Sequence, residues 1–530
     1  MFIIKSSRRR ALGLNEPLRH GSHKKPVTRR DFLAQGFTTG AATVVAPAAL
    51  GMMLNPRRAA ALSPDIEAMK VPAMCNISGG AGKIPFICFD LAGGANIAGS
   101  NVLVGKEGGQ LDFLSTQGYS KQGLPGNMLP NNATTNFINT EFGLAFHTDS
   151  AFLRGMLEKT SAATRAGVNG AVIAARSEND TGNNPHNPMY GIAKYGAKGE
   201  LLTLIGSQNS ESGGNSMAPA MLIDPANRPT KIDRVSDVTG LVDTGEVATI
   251  LSPSDTVSVL ESMVRMSNAK MERVTPALPT PAEDFETEKR FKCSYVKTAD
   301  TVETFSDPSA LNPALDPDIA TLFGANFGGE GEFQKTASVM KLVVEGNAGA
   351  GTISMGGFDY HTGERATGEG RDLRAGRCIG ACLEYAAIRG KPLMLYVFSD
   401  GSLSSNGAID DSVGGRGKGQ WTGDNQQVAA SFFLVYNPPA SGGRPVLLTS
   451  GSSARHQQLG YYSAGGDVVT SSSPAANNVN LLVQTVILNY MALHGHAGDF
   501  PGMFGSALGS TTAALDPMIA FEPIAPNGTI

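Results

Sequence analysis

The chain has 530 residues, of which 41% are apolar, with 64 glycines, 30 prolines and one tryptophan, and its formal net charge is −4. This length is sufficient for a large buried core, and the content of glycine and proline is below the level that indicates disorder. The composition therefore predicts a loop-rich globular protein and excludes a largely disordered chain.

The first 61 residues have the features of an export signal. The pattern RRDFL at 29–33 is followed by a mildly apolar segment and by three alanines at 59–61 that are typical of a cleavage site. Paired arginines of this kind indicate the twin-arginine route, so we predict the twin-arginine translocation machinery as a partner and a periplasmic or secreted location. The two arginines at 57–58 argue against a lasting membrane span.

Removal of this signal changes the charge of the chain. Residues 1–61 hold 11 Lys and Arg and 2 Asp and Glu, which leaves 32 basic against 45 acidic residues, a formal charge near −13. Such a charge disfavours nucleic acid as a partner and is compatible with bound cations. The five cysteines lack the spacing of a zinc or redox motif, and their pairing is left open.

Buried strands alternate with helices along the rest of the chain. An apolar run at 84–89 predicts the first strand, 145–167 a helix, and 168–177 a second strand; residues 190–216 then repeat helix, strand and Gly/Ser loop. This order is typical of an α/β protein with a doubly wound, mostly parallel sheet flanked by helices. We predict one large domain over 62–530, with a helical insertion or cap around 215–335.

The strand pattern resumes after the predicted insertion. Residues 340–361 predict a helix end and a strand, 371–390 a helix, and 392–403 a further strand. Apolar runs at 430–438 and 444–451 predict two more strands, placed at an edge, and 478–495 a closing helix. His494 and His496 at its end are interpreted as solvated rather than as metal ligands.

Polar residues follow several of these strands directly. Asn96 follows the first strand and Ser177 the second, while Asp359 and His361 end the strand before the 371–390 helix, and Asp400 ends the next one. In parallel α/β sheets, ligands bind outside the carboxyl ends of the strands. We therefore expect these side chains at one edge of the sheet.

Together with the export signal, the glycine pair at 93–94, the GGFDYH loop at 356–361, the FSD strand end at 398–400 and a later Asp-containing glycine loop resemble a known family. It is the exported domain-of-unknown-function family 1501, a branch of the alkaline-phosphatase-like superfamily, whose members hydrolyse phosphate or sulfate esters with divalent metals. The resemblance covers most of residues 80–510. It implies an alkaline-phosphatase-like fold.

The same resemblance implies a set of metal ligands. Asp359, His361 and Asp424 match acidic and histidine positions of the family, whereas Asn96 replaces an aspartate and Asn425 a histidine. Because four of the five side chains offer oxygen, we predict one divalent cation, calcium or magnesium rather than zinc. The alternative for the first pair is an Asx-type turn at Asp359 with a solvated His361.

A hydrolase also needs a nucleophile and groups that bind an anion. Ser177 is the nearest candidate nucleophile, although the interpretation favoured for it is a hydroxyl that merely ends a strand. Arg176 and Lys418 are candidates to steady the anion, with Asp400 and His186 beside them; the 415–425 loop around Lys418 could also be a flexible lid.

We therefore predict an exported metal-dependent hydrolase of phosphate or sulfate esters, acting on a small anionic ester or glycan. The alternative is an inactive exported protein of the same fold that serves in binding or envelope assembly, because Asn96 lacks the family's acid and Leu403 its arginine.

Overall fold

The computed structural model describes residues 62–70, 75, 82–130, 132, 134–177, 184–242, 252–271, 273, 289, 293–301, 303 and 308–530. The predicted signal at 1–61 lies outside these residues. The chain divides into two compact units, a smaller one of residues 1–77 and 244–306 and a larger one of residues 78–243 and 307–530. The segment at 215–335 that was predicted as an insertion thus contributes to both units.

The larger unit contains the sheet. The strands are β1 (Phe86–Leu91), β2 (Ile138–Asn139), β3 (Phe146–His147), β4 (Val168–Ile173), β5 (Leu202–Gly206), β6 (Thr230–Lys231), β7 (Ala348–Met355), β8 (Leu393–Phe398), β9 (Leu403–Asp410), β10 (Lys418–Asp424), β11 (Ser431–Tyr436) and β12 (Gln458–Leu459). Eight of them form one sheet in the order β12-β4-β11-β8-β1-β7-β5-β6, while β9 pairs with β10 and β2 with β3.

Seven strands of the main sheet run in one direction. β1 pairs in parallel with both β7 and β8, and only β11 is antiparallel to its neighbours, β4 and β8. The α/β class and the mostly parallel sheet predicted from the sequence are confirmed. The antiparallel strand lies inside the sheet rather than at its edge, and 444–451 forms no strand beyond a single bridge from Leu447 to Phe521.

Helices of the larger unit flank the sheet. They are α2 (Thr116–Lys121), α3 (Ala151–Lys159), α4 (Ala162–Ala166), α5 (Met189–Tyr195), α6 (Val235–Thr239), α8 (Pro317–Phe323), α9 (Gly331–Val344), α10 (Arg365–Ile388), α11 (Ser453–Gln457), α12 (Val479–Leu493), α13 (Phe500–Phe504) and α14 (Thr512–Leu515), while α1 (Pro64–Glu67) and α7 (Pro253–Met271) belong to the smaller unit. The single helix predicted at 145–167 is two, α3 and α4, because Ser150 and Ser161 each cap a new helix.

Alternate residues of each strand face opposite helix layers, as the two-residue period of a strand requires. One face packs Phe86, Cys88 and Tyr396 against α5 and α12 in a continuous apolar cluster. On the other face Gly351 lies beneath α9, and Phe432 contacts Phe152 of α3. The sheet is therefore covered on both sides, which explains its continuous apolar strands.

The smaller unit contains α1 and α7. Its described core consists of Leu62, Ile66, Val264, Val296 and Ala299. A disulfide joins Cys75 to Cys293, with the Cα atoms 5.2 Å apart, and the guanidinium of Arg265 binds both carboxylate oxygens of Asp65 at 2.7 and 2.8 Å. Of the five cysteines, Cys88, Cys378 and Cys382 are free and buried. Within the described part of the chain, no helix is both long and apolar enough to cross a membrane.

His494 is fully buried at the end of α12, so its interpretation as a solvated residue was wrong. Its Nδ1–H donates to the Tyr490 carbonyl at 2.7 Å, and its Nε2 accepts from the Ile84 amide at 3.1 Å. These two bonds fix the neutral ring. Burial, with a smaller effect of Lys83, lowers the pKa of His494 from 6.5 to about 4.

This ring makes the fold sensitive to acid. Because the folded pKa lies below the unfolded value, the stability that neutral His494 contributes is complete above pH 6.5 and is lost as the pH falls towards 4, by up to about 3 kcal/mol. We expect His494→Gln to be less stable at pH 7.5 but to lose less stability between pH 7.5 and 4.5, measured by urea unfolding. An unchanged slope of the unfolding free energy against pH in His494→Gln would contradict the assignment.

Candidate metal site

The loops after β1 and β7 lie against each other at the carboxyl edge of the sheet. The Phe358 amide donates to the Ala92 carbonyl at 3.0 Å, and the Ala92 amide donates to the Met355 carbonyl at 3.0 Å. Gly93 adopts φ +122°, and a Cβ atom there would lie 2.6 Å from the Asp359 amide nitrogen. Glycine is thus required for this contact, and it brings the β1 loop beneath Asp359.

Asp359, His361 and Asp424 form a cluster at this edge. One ligand atom from each lies within 4.8 Å of the other two. His361 Nδ1 contacts Asp359 Oδ1 and lies 3.5 Å from Asp424 Oδ1. The side chains are 55%, 31% and 43% exposed in chain order, so the cluster is open to solvent. Three of the five predicted metal ligands are therefore together, although the third comes from a different element.

The two predicted asparagine ligands have other partners. Asn96 is fully buried; its Oδ1 accepts from Ser100 at 2.7 Å, and its Nδ2 donates to the Ala98 carbonyl at 3.1 Å. Asn425 caps a 3₁₀ turn, where its Oδ1 accepts from the Gln427 amide at 3.0 Å. The structure thus gives both amide side chains local hydrogen-bond partners.

Tyr360 anchors the loop that carries Asp359 and His361. Its ring is fully buried, its hydroxyl donates to Asp372 Oδ1 at 2.7 Å, and the Asn96 amide donates to that hydroxyl at 3.2 Å. Burial raises the pKa of Asp372 to about 7. With Tyr360 buried, its two neighbours are left exposed beside each other. Neither Tyr360 nor Asp372 was predicted from the sequence as a residue of the site.

A second group of polar residues lies behind the cluster. Asp400 is fully buried and accepts from the Gly93 amide at 2.8 Å and from the Asn215 side chain at 3.2 Å. The Asn215 backbone in turn donates to the buried Asp90 at 2.7 Å, and burial raises the pKa of Asp90 to about 6. Asp400, predicted to bind substrate, therefore ties the loops after β1 and β5 to the end of β8.

Ser177 and His186 lie in the loop after β4, and both are buried. Among the described residues, neither the Ser177 hydroxyl nor either ring nitrogen of His186 has a hydrogen-bond partner. The ring of His186 stacks on Phe398 at 5.9 Å, and burial lowers its pKa to about 4, so it is neutral. The Ser177 amide donates to the carbonyl of Gln426, two residues after Asp424, at 3.2 Å.

Arg176 binds neutral groups. It donates to Asn477 Oδ1 and to Gln426 Oε1, both at 3.0 Å. In the described part of the chain no carboxylate forms an ion pair with this guanidinium, so its charge is not neutralised there. Gln426 is two residues from Asp424, which places a positive charge near the backbone that carries the third member of the cluster.

Lys418, the other predicted anion-binding residue, is fully buried. Its ammonium donates to Glu369 at 2.9 Å and to the Asp149 carbonyl at 2.7 Å, and it lies 3.1 Å from the Asp149 carboxylate. Burial lowers the pKa of Lys418. Because these partners occupy it, Lys418 is not available to a substrate anion. The 415–425 segment, for which a flexible lid was the alternative, contains strand β10, which pairs with β9 in a hairpin.

No protein-family model matches this chain, and neither the curated proteins nor the solved structures gave a significant match to it. The resemblance to the exported family therefore stays a prediction that rests on the motifs given above.

Proposed function

We propose that the larger unit is a metal-dependent hydrolase of phosphate or sulfate esters with an alkaline-phosphatase-like fold, as the resemblance implies. The observation that carries this proposal is the cluster of Asp359, His361 and Asp424 at the carboxyl edge of a mostly parallel sheet. That edge is where α/β proteins of this kind bind their ligands. The fold alone would not support a function.

The three side chains fit a divalent cation by their chemistry. Two carboxylates and one imidazole are a donor set used for magnesium, manganese and zinc, with the imidazole favouring the later metals. Because the amide oxygens of Asn96 and Asn425 accept local hydrogen bonds, we propose that manganese and zinc fit the other three side chains at least as well as the predicted calcium or magnesium. A bound cation would polarise the ester oxygen and lower the pKa of a coordinated water or hydroxyl group.

Arg176 supports an anionic substrate. Its guanidinium has only neutral partners among the described residues, and the fork geometry of arginine suits phosphate and sulfate oxygens. Ser177 directly follows it and remains the candidate nucleophile, with its hydroxyl free of protein partners in the described chain.

Export is supported by the smaller unit. The disulfide between Cys75 and Cys293 is of the kind that persists in oxidising compartments, as the twin-arginine motif at 29–33 also suggests. We therefore place the mature protein in the periplasm or outside the cell.

A second candidate function, binding without catalysis, is favoured by a specific observation. Two of the residues predicted to contact substrate, Asp400 and Lys418, are fully buried and bound by other protein groups. A protein that kept the fold and lost turnover would retain these structural roles.

The test is metal content and turnover of the purified mature protein with aryl phosphate and aryl sulfate esters. We expect one divalent cation per chain from Ca²⁺, Mg²⁺, Mn²⁺ or Zn²⁺, and we expect Asp359→Asn and His361→Ala each to weaken its Kd by at least about 100-fold, because each removes one of three protein ligands.

Turnover should fall with metal content in both variants. The control is Asp411→Asn, at an exposed residue, which should keep both the metal content and the turnover of the wild type. A wild-type protein that binds one cation but hydrolyses neither ester would favour the binding function, and one that binds no cation would contradict the hydrolase.

A further inference from the structure

The hairpin β9–β10 joins the metal site to a buried group of charges. Asp424, a member of the cluster, is the last residue of β10, and the buried Lys418 is the first. Neither strand belongs to the main sheet, so the position of Asp424 depends on what holds the hairpin.

Four cations and two carboxylates hold the Lys418 end. Besides Lys418, Arg416 binds both oxygens of Asp149 from its Nε at 2.9 Å, and Arg154 donates to Glu369 at 2.7 Å. Arg365 donates to the other oxygen of Glu369 from its Nε at 3.1 Å. Although burial acts to raise the pKa of Glu369, the nearby Arg365 and Lys418 lower it. The acids come from α10 and from the residue before the cap of α3, so the network fastens the hairpin to both helices.

Trp421 fastens the middle of β10 to the loop that carries His361. The Gly363 amide, two residues after His361, donates to the Trp421 carbonyl at 2.6 Å. The indole ring is buried and stacks on the Arg365 guanidinium, 4.6 Å from its centroid. A shift of β10 along its axis would therefore move Asp424 away from His361 and change the surroundings of the ring.

We propose that the charge network around Lys418 positions Asp424 for metal binding, so that Lys418 and Arg416 are positioning residues for the cation site. This inference rests on the function proposed above. The network contains more cations than carboxylates, so each carboxylate keeps a cationic partner when Lys418 is removed. The effect of Lys418 on metal binding can therefore be measured in a protein that still folds. Arg416 still binds Asp149, and Arg365 and Arg154 still bind Glu369. Loss of Lys418 thus removes the contacts that hold the first residue of β10, without leaving an unpaired buried charge.

The experiment titrates Mn²⁺ and Zn²⁺ into the full mature protein. Calorimetry gives the Kd, and the emission of Trp421, the single tryptophan of the chain, follows the hairpin. We expect Lys418→Met to weaken the Kd by about 10-fold or more and to change the emission of the metal-free protein. The control Lys391→Met, at an exposed residue, should change neither the Kd nor the emission of Trp421.

A second variant tests the same inference if Lys418→Met fails to fold. Arg416 adopts φ +58°, a conformation that favours glycine. Arg416→Gly therefore removes the contact with Asp149 and at the same time lowers the conformational strain of the backbone. It should fold and still weaken the Kd about 10-fold. Wild-type protein that binds metal while both variants keep its Kd within two-fold would overturn this inference and leave the proposed function intact. Wild-type protein that binds neither Mn²⁺ nor Zn²⁺ overturns this inference, and wild-type protein that also binds neither Ca²⁺ nor Mg²⁺ overturns the proposed function as well.

Discussion

Replacement of Gly93 by alanine is expected both to destabilise the larger unit and to disrupt the proposed metal site. Gly93 has φ +122°, a conformation that costs a residue with a Cβ roughly 1–3 kcal/mol. The new Cβ would also lie 2.6 Å from the Asp359 amide nitrogen and 2.8 Å from its Cβ, and such overpacking adds roughly 1–3 kcal/mol. Because the colliding atoms belong to Asp359 itself, the ligand must move, and we expect the Kd for the cation to rise by at least 100-fold.

The control for this change is Gly346→Ala. Gly346 has φ +84°, and nothing lies within 4 Å of a Cβ built there, so the substitution carries the backbone cost without the collision. It should lower the unfolding midpoint slightly and leave metal binding as in the wild type. Urea unfolding measures the stability of both variants, and metal titration measures their Kd for the cation. Equal effects of the two substitutions on metal affinity would show that the contact between Gly93 and Asp359 is unimportant.

Gly376→Ala is expected to destabilise the protein even though alanine favours a helix. Gly376 lies in α10, where a Cβ would come 2.3 Å from the Phe152 carbonyl oxygen and 2.9 Å from its carbon, both backbone atoms of α3. Since neither helix backbone can yield locally, the two helices must separate and open the layer that covers the sheet. We expect a net loss of roughly 3 kcal/mol, after the gain of about 1 kcal/mol in helix propensity.

Gly370, in the same helix, provides the matched comparison. It is exposed, and nothing lies within 4 Å of its built Cβ. Gly370→Ala should therefore stabilise the protein, by up to about 1 kcal/mol, through helix propensity alone. Thermal and urea unfolding should move in opposite directions for the two variants. A stabilised Gly376→Ala protein would mean that α3 and α10 do not approach each other as described.

The part of the candidate site that is formed by residues close together in the sequence was predictable. Asp359 and His361 are two residues apart and directly follow a buried strand, so their common location is fixed by a few bonds. Asp424 is more than 60 residues later on a hairpin, and its place beside His361 depends on contacts made by Lys418 and Trp421 with other elements. The resemblance to a family supplied that residue, whereas spacing alone could not.

Burial of charge was the least predictable feature. Lys418 lies in a glycine-rich loop sequence typical of an exposed segment, and its partners Asp149 and Glu369 are distant along the chain. A lysine is buried when such partners compensate its charge, and a local pattern carries no information about them. The same applies to Asn96, whose bonds to Ser100 and Ala98 depend on how its loop turns.

The amino-acid sequence by itself determined the α/β class, the buried parallel strands and the polar residues at their carboxyl ends, because hydrophobic periodicity and strand–helix alternation are local properties. Only the tertiary structure decided that β11 lies antiparallel within the sheet, that Cys75 pairs with Cys293, and that Asp424 lies beside Asp359 and His361. These outcomes depend on contacts between residues far apart in sequence, where packing and charge compensation select one arrangement among several that the local patterns allow.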